Sequence, residues 1–137
     1  MTRMPAALLV LVAGAVACRL PGDCPPPPAM VLGQWTYTAS QTQPIATVRG
    51  TLTIEAGCPS FQGSLHGTQQ DGLGIPVNVD AVVAGQMLNN TSVEFDAYIG
   101  VAGRRHLGTI ANDSISGTWI DQNSSTIGSF VAVKERP

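Results

Sequence analysis

The chain has 137 residues, enough for one domain, and a formal net charge of −2. Seven Lys and Arg against nine Asp and Glu leave no electrostatic footprint for nucleic acid or an anionic membrane surface. The only basic cluster, Arg104-Arg105 beside His106, falls in a strand-like run and reads as a solvated face. At the N-terminus, residues 1–4 carry one positive charge and residues 5–17, PAALLVLVAGAVA, form an apolar run ending in small residues. That run falls short of the ~20 residues a membrane-spanning helix needs. It fits a secretory signal peptide over residues 1–17, with an Ala-x-Ala site at Ala15-Val16-Ala17.

All three cysteines, Cys18, Cys24 and Cys58, follow the run. An oxidising compartment pairs thiols, and an odd count leaves one over. Val16-Ala17-Cys18 after a hydrophobic stretch resembles the bacterial lipobox, whose cysteine becomes the acylated first residue of a lipoprotein. Ala15 stands where that family usually has Leu, Val or Ile, so ordinary cleavage and secretion is the alternative. The resemblance implies lipidation at Cys18. Because Arg19 and not Asp follows the cysteine, it also implies the outer membrane of a bacterial envelope, facing the periplasm.

Residues 18–32 are dense in proline, which makes an extended, semi-rigid tether. Acylation of Cys18 leaves Cys24 and Cys58 to form a disulfide, closing a loop of about 34 residues worth roughly 3–4 kcal/mol. The rival arrangements are Cys18 with Cys58, Cys18 with Cys24, or a free thiol.

From residue 33 onward the pattern alternates with period two. In residues 47–55 Val48, Gly50, Leu52 and Ile54 share one face; in 76–83 Val77, Val79, Ala81 and Val83 do; in 91–99 Val93, Phe95, Ala97 and Ile99 do. Eight such runs occur, at 34–39, 47–56, 60–68, 75–84, 91–99, 104–111, 114–121 and 126–134, separated by short polar or Gly-rich turns. Short connections make neighbours pair as hairpins. Eight antiparallel strands with one apolar face close into an up-and-down β-barrel over residues 33–137, with a two-sheet β-sandwich as the alternative.

Gly33-Gln34-Trp35 opening the first strand, and SGTWIDQNSSTIGSF at 116–130, resemble the lipocalin and avidin group of small barrels. That resemblance implies a calycin-type barrel with a ligand in its interior. The helix lipocalins carry before their last strand segment is missing here. Two tryptophans, Trp35 and Trp119, are fewer than avidin-like proteins bring to biotin, so biotin is not implied.

Catalytic signals are lacking. Glu94 and Asp96 share the face opposite Val93, Phe95 and Ala97 and should meet water. His66 and His106 each lie on the face opposite apolar neighbours, Phe61 and Leu65 in one case and Leu107 in the other, which points both outward. With no HxxxH, CxxC, Gly-x-Ser-x-Gly or phosphate loop, no metal, no cofactor and no enzymatic activity are expected. The Asn-x-Ser/Thr sequons at Asn89, Asn90, Asn112 and Asn123 fall in turns and read as turn residues. Trp35, Tyr37, Phe61, Phe95 and Trp119 point inward and are the candidate ligand-binding residues. Two functions follow. A lipid-anchored, lipocalin-like binder of a small apolar ligand predicts a cavity of roughly a few hundred Å3. A protein-interaction module, an envelope assembly factor or an inhibitor of a secreted enzyme, predicts a filled core.

Overall fold

The computed structural model describes residues 29–136 except 58, 59, 100 and 101. The predicted signal peptide, the tether before residue 29, and the lipidation and disulfide assignments at Cys18, Cys24 and Cys58 lie outside the described residues. Eight strands follow in order: β1 (Gly33–Thr42), β2 (Ile45–Ala56), β3 (Phe61–Asp71), β4 (Pro76–Met87), β5 (Ser92–Ile99), β6 (Ala102–Ala111), β7 (Ser114–Asp121) and β8 (Ile127–Lys134). Each pairs antiparallel with the next, and β8 pairs back onto β1, Trp35 facing Lys134 and Ser40 facing Ser129. That last ladder closes the barrel and excludes the sandwich. All eight predicted runs are strands, several extended by polar residues such as Gln69 and Gln70 that the ladders carry beyond the apolar alternation.

The alternation orients the wall. Val48, Leu52, Ile54, Leu65, Val79, Ala81, Val83, Val93, Phe95 and Ala97 are buried inside, while Thr51, Glu94 and Asp96 face out. Residues near the end of the proline-rich stretch are not spacer. Ala29–Val31 forms a 3-10 turn with Val31 fully buried against the end of the barrel where β1 begins. Trp35 Nε1 donates to Val31 O at 3.1 Å, and Lys134 Nζ donates to Met30 O at 2.9 Å, so this end is plugged. At the opposite end, the mouth, lie the β1–β2, β3–β4, β5–β6 and β7–β8 connections. Among the described residues no helix is long and apolar enough to cross a membrane.

Candidate functional site

Strand β6 decides what faces the interior near the mouth. The two residues Asn112 and Asp113 join it to β7, pairing Ile110 with Ile115, Gly108 with Gly117, His106 with Trp119 and Arg104 with Asp121. Directly opposed residues share a face. Ile115 and Trp119 are inside, so His106 and Arg104 are too. The expectation that His106 points outward is therefore corrected: it is fully buried, and Leu107 is the exposed residue at 46%. Of the basic cluster only Arg105 is solvated, paired with Asp96 at 3.2 Å on the outer wall.

His106 lies in a layer of rings. It stacks on Phe95 with centroids 4.3 Å apart and meets the faces or edges of Phe130 at 4.9 Å and Tyr37 at 5.7 Å. Arg104 O can only accept, so His106 Nδ1 donates to it at 3.0 Å, which leaves Nε2 to accept the Tyr37 hydroxyl at 2.7 Å. The imidazole is thus neutral in a defined tautomer. Burial, reinforced by the Arg104 charge, holds its pKa down at about 4, and burial pushes the Tyr37 hydroxyl well above the usual phenol range. The Tyr37–His106 bond ties β1 to β6 across the lumen.

Above this layer the Arg104 guanidinium lies over the Trp119 indole, 4.7 Å from the ring centroid. Its Nη2 donates to Gln69 Oε1 at 3.1 Å, a second cross-lumen tie, from β6 to β3. Asp121 Oδ2 is 3.9 Å from Arg104 Nε, beyond hydrogen-bond range but close enough to balance charge. The other oxygen, Oδ1, accepts the Asn123 and Ser124 backbone N–H groups and fixes the β7–β8 turn. Opposite Trp119 stands Gly128, where a Cβ would collide with the indole. Arg104 Nε and Trp119 Nε1 are buried without an acceptor among the described residues.

All five predicted ligand-binding residues are inside, but only three gather here. Tyr37 and Phe95 belong to the ring layer and Trp119 to the mouth, whereas Trp35 sits at the plug and Phe61 begins β3 at the plugged end. Sequence reasoning missed Phe130, His106, Arg104 and Gln69; the two-residue turn at Asn112-Asp113 was the signal for His106 and Arg104.

Among the described residues the apolar side chains of the interior are buried against one another in one continuous core. Grooves bounded by described residues lie on the outer wall, one of about 290 Å3 between Arg105, Leu107, Thr118, Ile120 and Ile127. Around the mouth Ile45, Leu73, Ile75, Val77 and Ile127 are exposed, Leu73 to 83%. Among the described residues no three His, Cys, Asp or Glu are placed to hold a metal ion.

No protein-family model and no curated protein matches this sequence. Solved structures do resemble it. One is the structure of EF1p2_mFAP2b bound to DFHBI, with a TM-score of 0.57 at 9% identity over 77% of this chain and 94% of that one. Another is a de novo designed fluorescence-activating beta barrel, with a TM-score of 0.52 at 17% identity over 76% of this chain and 93% of that one. At these identities the likeness is one of fold.

Proposed function

We propose that the protein is a lipid-anchored component of a bacterial envelope whose barrel holds a small ligand at the mouth. One observation carries the binding reading: Tyr37, His106, Gln69, Arg104 and Asp121 cluster at one end of an otherwise apolar interior. Burying such groups costs stability that an apolar filling would not, so a barrel built only to be stable has no use for them. Two solved barrels of the same fold support it, one bound to DFHBI and one designed to activate fluorescence. In this reading the ligand sits above the ring layer of His106, against Arg104 and Trp119. The reading is of a binding role and not an enzymatic one, on the lack of HxxxH, CxxC, Gly-x-Ser-x-Gly or phosphate-loop patterns in the sequence. Attachment rests on the VAC sequence at 16–18 and the proline-rich residues behind it, with the Cys24–Cys58 bridge strapping the tether to the barrel.

The two tryptophans make the test direct. A set of small aromatic and aliphatic compounds is titrated into the full chain, and ligand quenching must survive Trp35→Phe and vanish in Trp119→Phe. Quenching that tracks Trp35, or none from any compound, refutes binding at the mouth. Cys18→Ala must abolish detergent partitioning and the acyl mass; unchanged partitioning and mass refute the anchor.

The interaction-module reading keeps one specific support, the exposed aliphatic residues Ile45, Leu73, Ile75, Val77 and Ile127 around the mouth. Capture of a defined envelope partner that Leu73→Glu abolishes, with no small-molecule quenching of Trp119, would favour it.

A further inference from the structure

Two buried donors at the mouth have no acceptor among the described residues. Trp119 is 3% exposed and its Nε1 has no partner among the described residues, and Arg104 Nε beside it is equally buried and unpaired. Elsewhere the interior satisfies its polar groups: the Trp35 indole donates to Val31 O, and Tyr37 and His106 bond each other. Two nearby acceptors are committed. Gln69 Oε1 takes Arg104 Nη2, and Asp121 Oδ1 takes two backbone N–H groups. Asp121 Oδ2, 3.9 Å from Nε, leaves that donor free to bond elsewhere.

Both unpaired atoms are donors, so the group that completes the site must accept. Guanidinium and indole are both flat, with the guanidinium carbon 4.7 Å from the ring centroid, and Ala97, paired with Arg104 on β5, is small. We infer that the mouth takes a small planar molecule through an acceptor oxygen, a carboxylate or a phenolate, received by Arg104 Nε and Trp119 Nε1. A charge-assisted bond to guanidinium favours the ionised oxygen over a neutral one. A ligand that offers only N–H groups at that position would set donor against donor. The inference rests on the binding reading proposed above and adds the ligand's chemical class.

The two indole N–H resonances test it, one hydrogen-bonded to Val31 and one free. Trp35→Phe assigns them. Titrating 2-naphthoate into the labelled full chain is expected to move the Trp119 indole proton downfield to saturation and leave Trp35 in place. The matched amine 2-naphthylmethylamine, with the same rings and only donors, is expected to leave both peaks unmoved. Trp119→Phe keeps a ring and removes one donor; it should weaken naphthoate at least ~5-fold by calorimetry, and Arg104→Met at least ~10-fold. If one variant fails to fold, the other and the wild-type shifts decide. Equal Trp119 shifts from amine and acid overturn the acceptor class while leaving binding at the mouth intact. A Trp119 peak that neither compound moves overturns the inference, and the separate quenching titration reports whether the binding reading falls with it.

Discussion

Acidification should destabilise this barrel through one buried imidazole. Protonating His106 places a charge among Phe95, Phe130 and Tyr37 and beside the Arg104 guanidinium, which is why its pKa is held down at about 4. In the unfolded chain a histidine titrates near ~6.5. As the pH falls below that value, the unfolded chain takes up a proton that the barrel refuses, so stability drops. The contribution is intact above pH ~6.5, and its loss levels off once the pH passes below about 4. A gap of about 2.5 pH units bounds the loss at ~3 kcal/mol, of which roughly 2 kcal/mol is gone by pH 5.

Urea unfolding followed by tryptophan fluorescence at pH 7.5 and pH 5 measures this, at a pH where ordinary carboxylates remain mostly ionised. A His66→Gln background removes the exposed histidine that pairs with Asp80. The control is Tyr37→Phe with His106→Phe, which replaces both bonded partners by apolar groups of similar shape and should change stability at pH 7.5 by less than ~1 kcal/mol. The background protein should then lose about 2 kcal/mol more than the control between the two pH values. Equal losses in the two proteins would refute a neutral, buried His106.

Tyr37→Phe alone orphans His106 Nε2 and should cost about 1–3 kcal/mol in urea unfolding at pH 7.5, more than the double replacement does. In a Tyr98→Phe protein, absorbance titration should show Tyr37 still protonated at pH values above ~10; because the unfolded chain ionises there first, stability falls as the pH rises, and ionisation should coincide with unfolding. Trp35→Ala should destabilise by about 3–5 kcal/mol, since it removes the fully buried indole that holds the Val31 plug, with denaturant midpoints as the readout. Gly128→Val would set a Cβ against the Ser40 backbone carbonyl as well as the Trp119 indole, so it should lower the urea midpoint and change Trp119 emission, which a Trp35→Phe background isolates.

The architecture was legible because each strand between residues 45 and 99 carries at least two buried apolar residues on one face. Val48, Leu52 and Ile54, or Val79, Ala81 and Val83, leave a strand no choice of orientation once one face must be dry. Strand β6 is different. Its apolar side chains include Leu107 and Ile110, which fall on opposite faces, so alternation alone cannot choose. Taking Leu107 as the inward residue turned Arg104 and His106 to the solvent and hid the site.

The missing constraint was a pairing and not a propensity. A two-residue connection at Asn112-Asp113 sets the register of β6 on β7, and Trp119 on the inner face then brings His106 with it. Asn112 takes the left-handed conformation such a tight turn demands, with φ of 55°. The same step recovers Arg104 from Asp121 and Gly108 from Gly117. It does not reach Gln69. The bond from Arg104 to Gln69 spans the lumen between strands three apart, so it depends on closure, tilt and stagger, which no single hairpin encodes. Phe130, which closes the ring layer against Tyr37 and Phe95, belongs to the same class of contact. In a barrel of this kind the wall is written strand by strand, and the chemistry inside it is written across strands that only closure brings face to face.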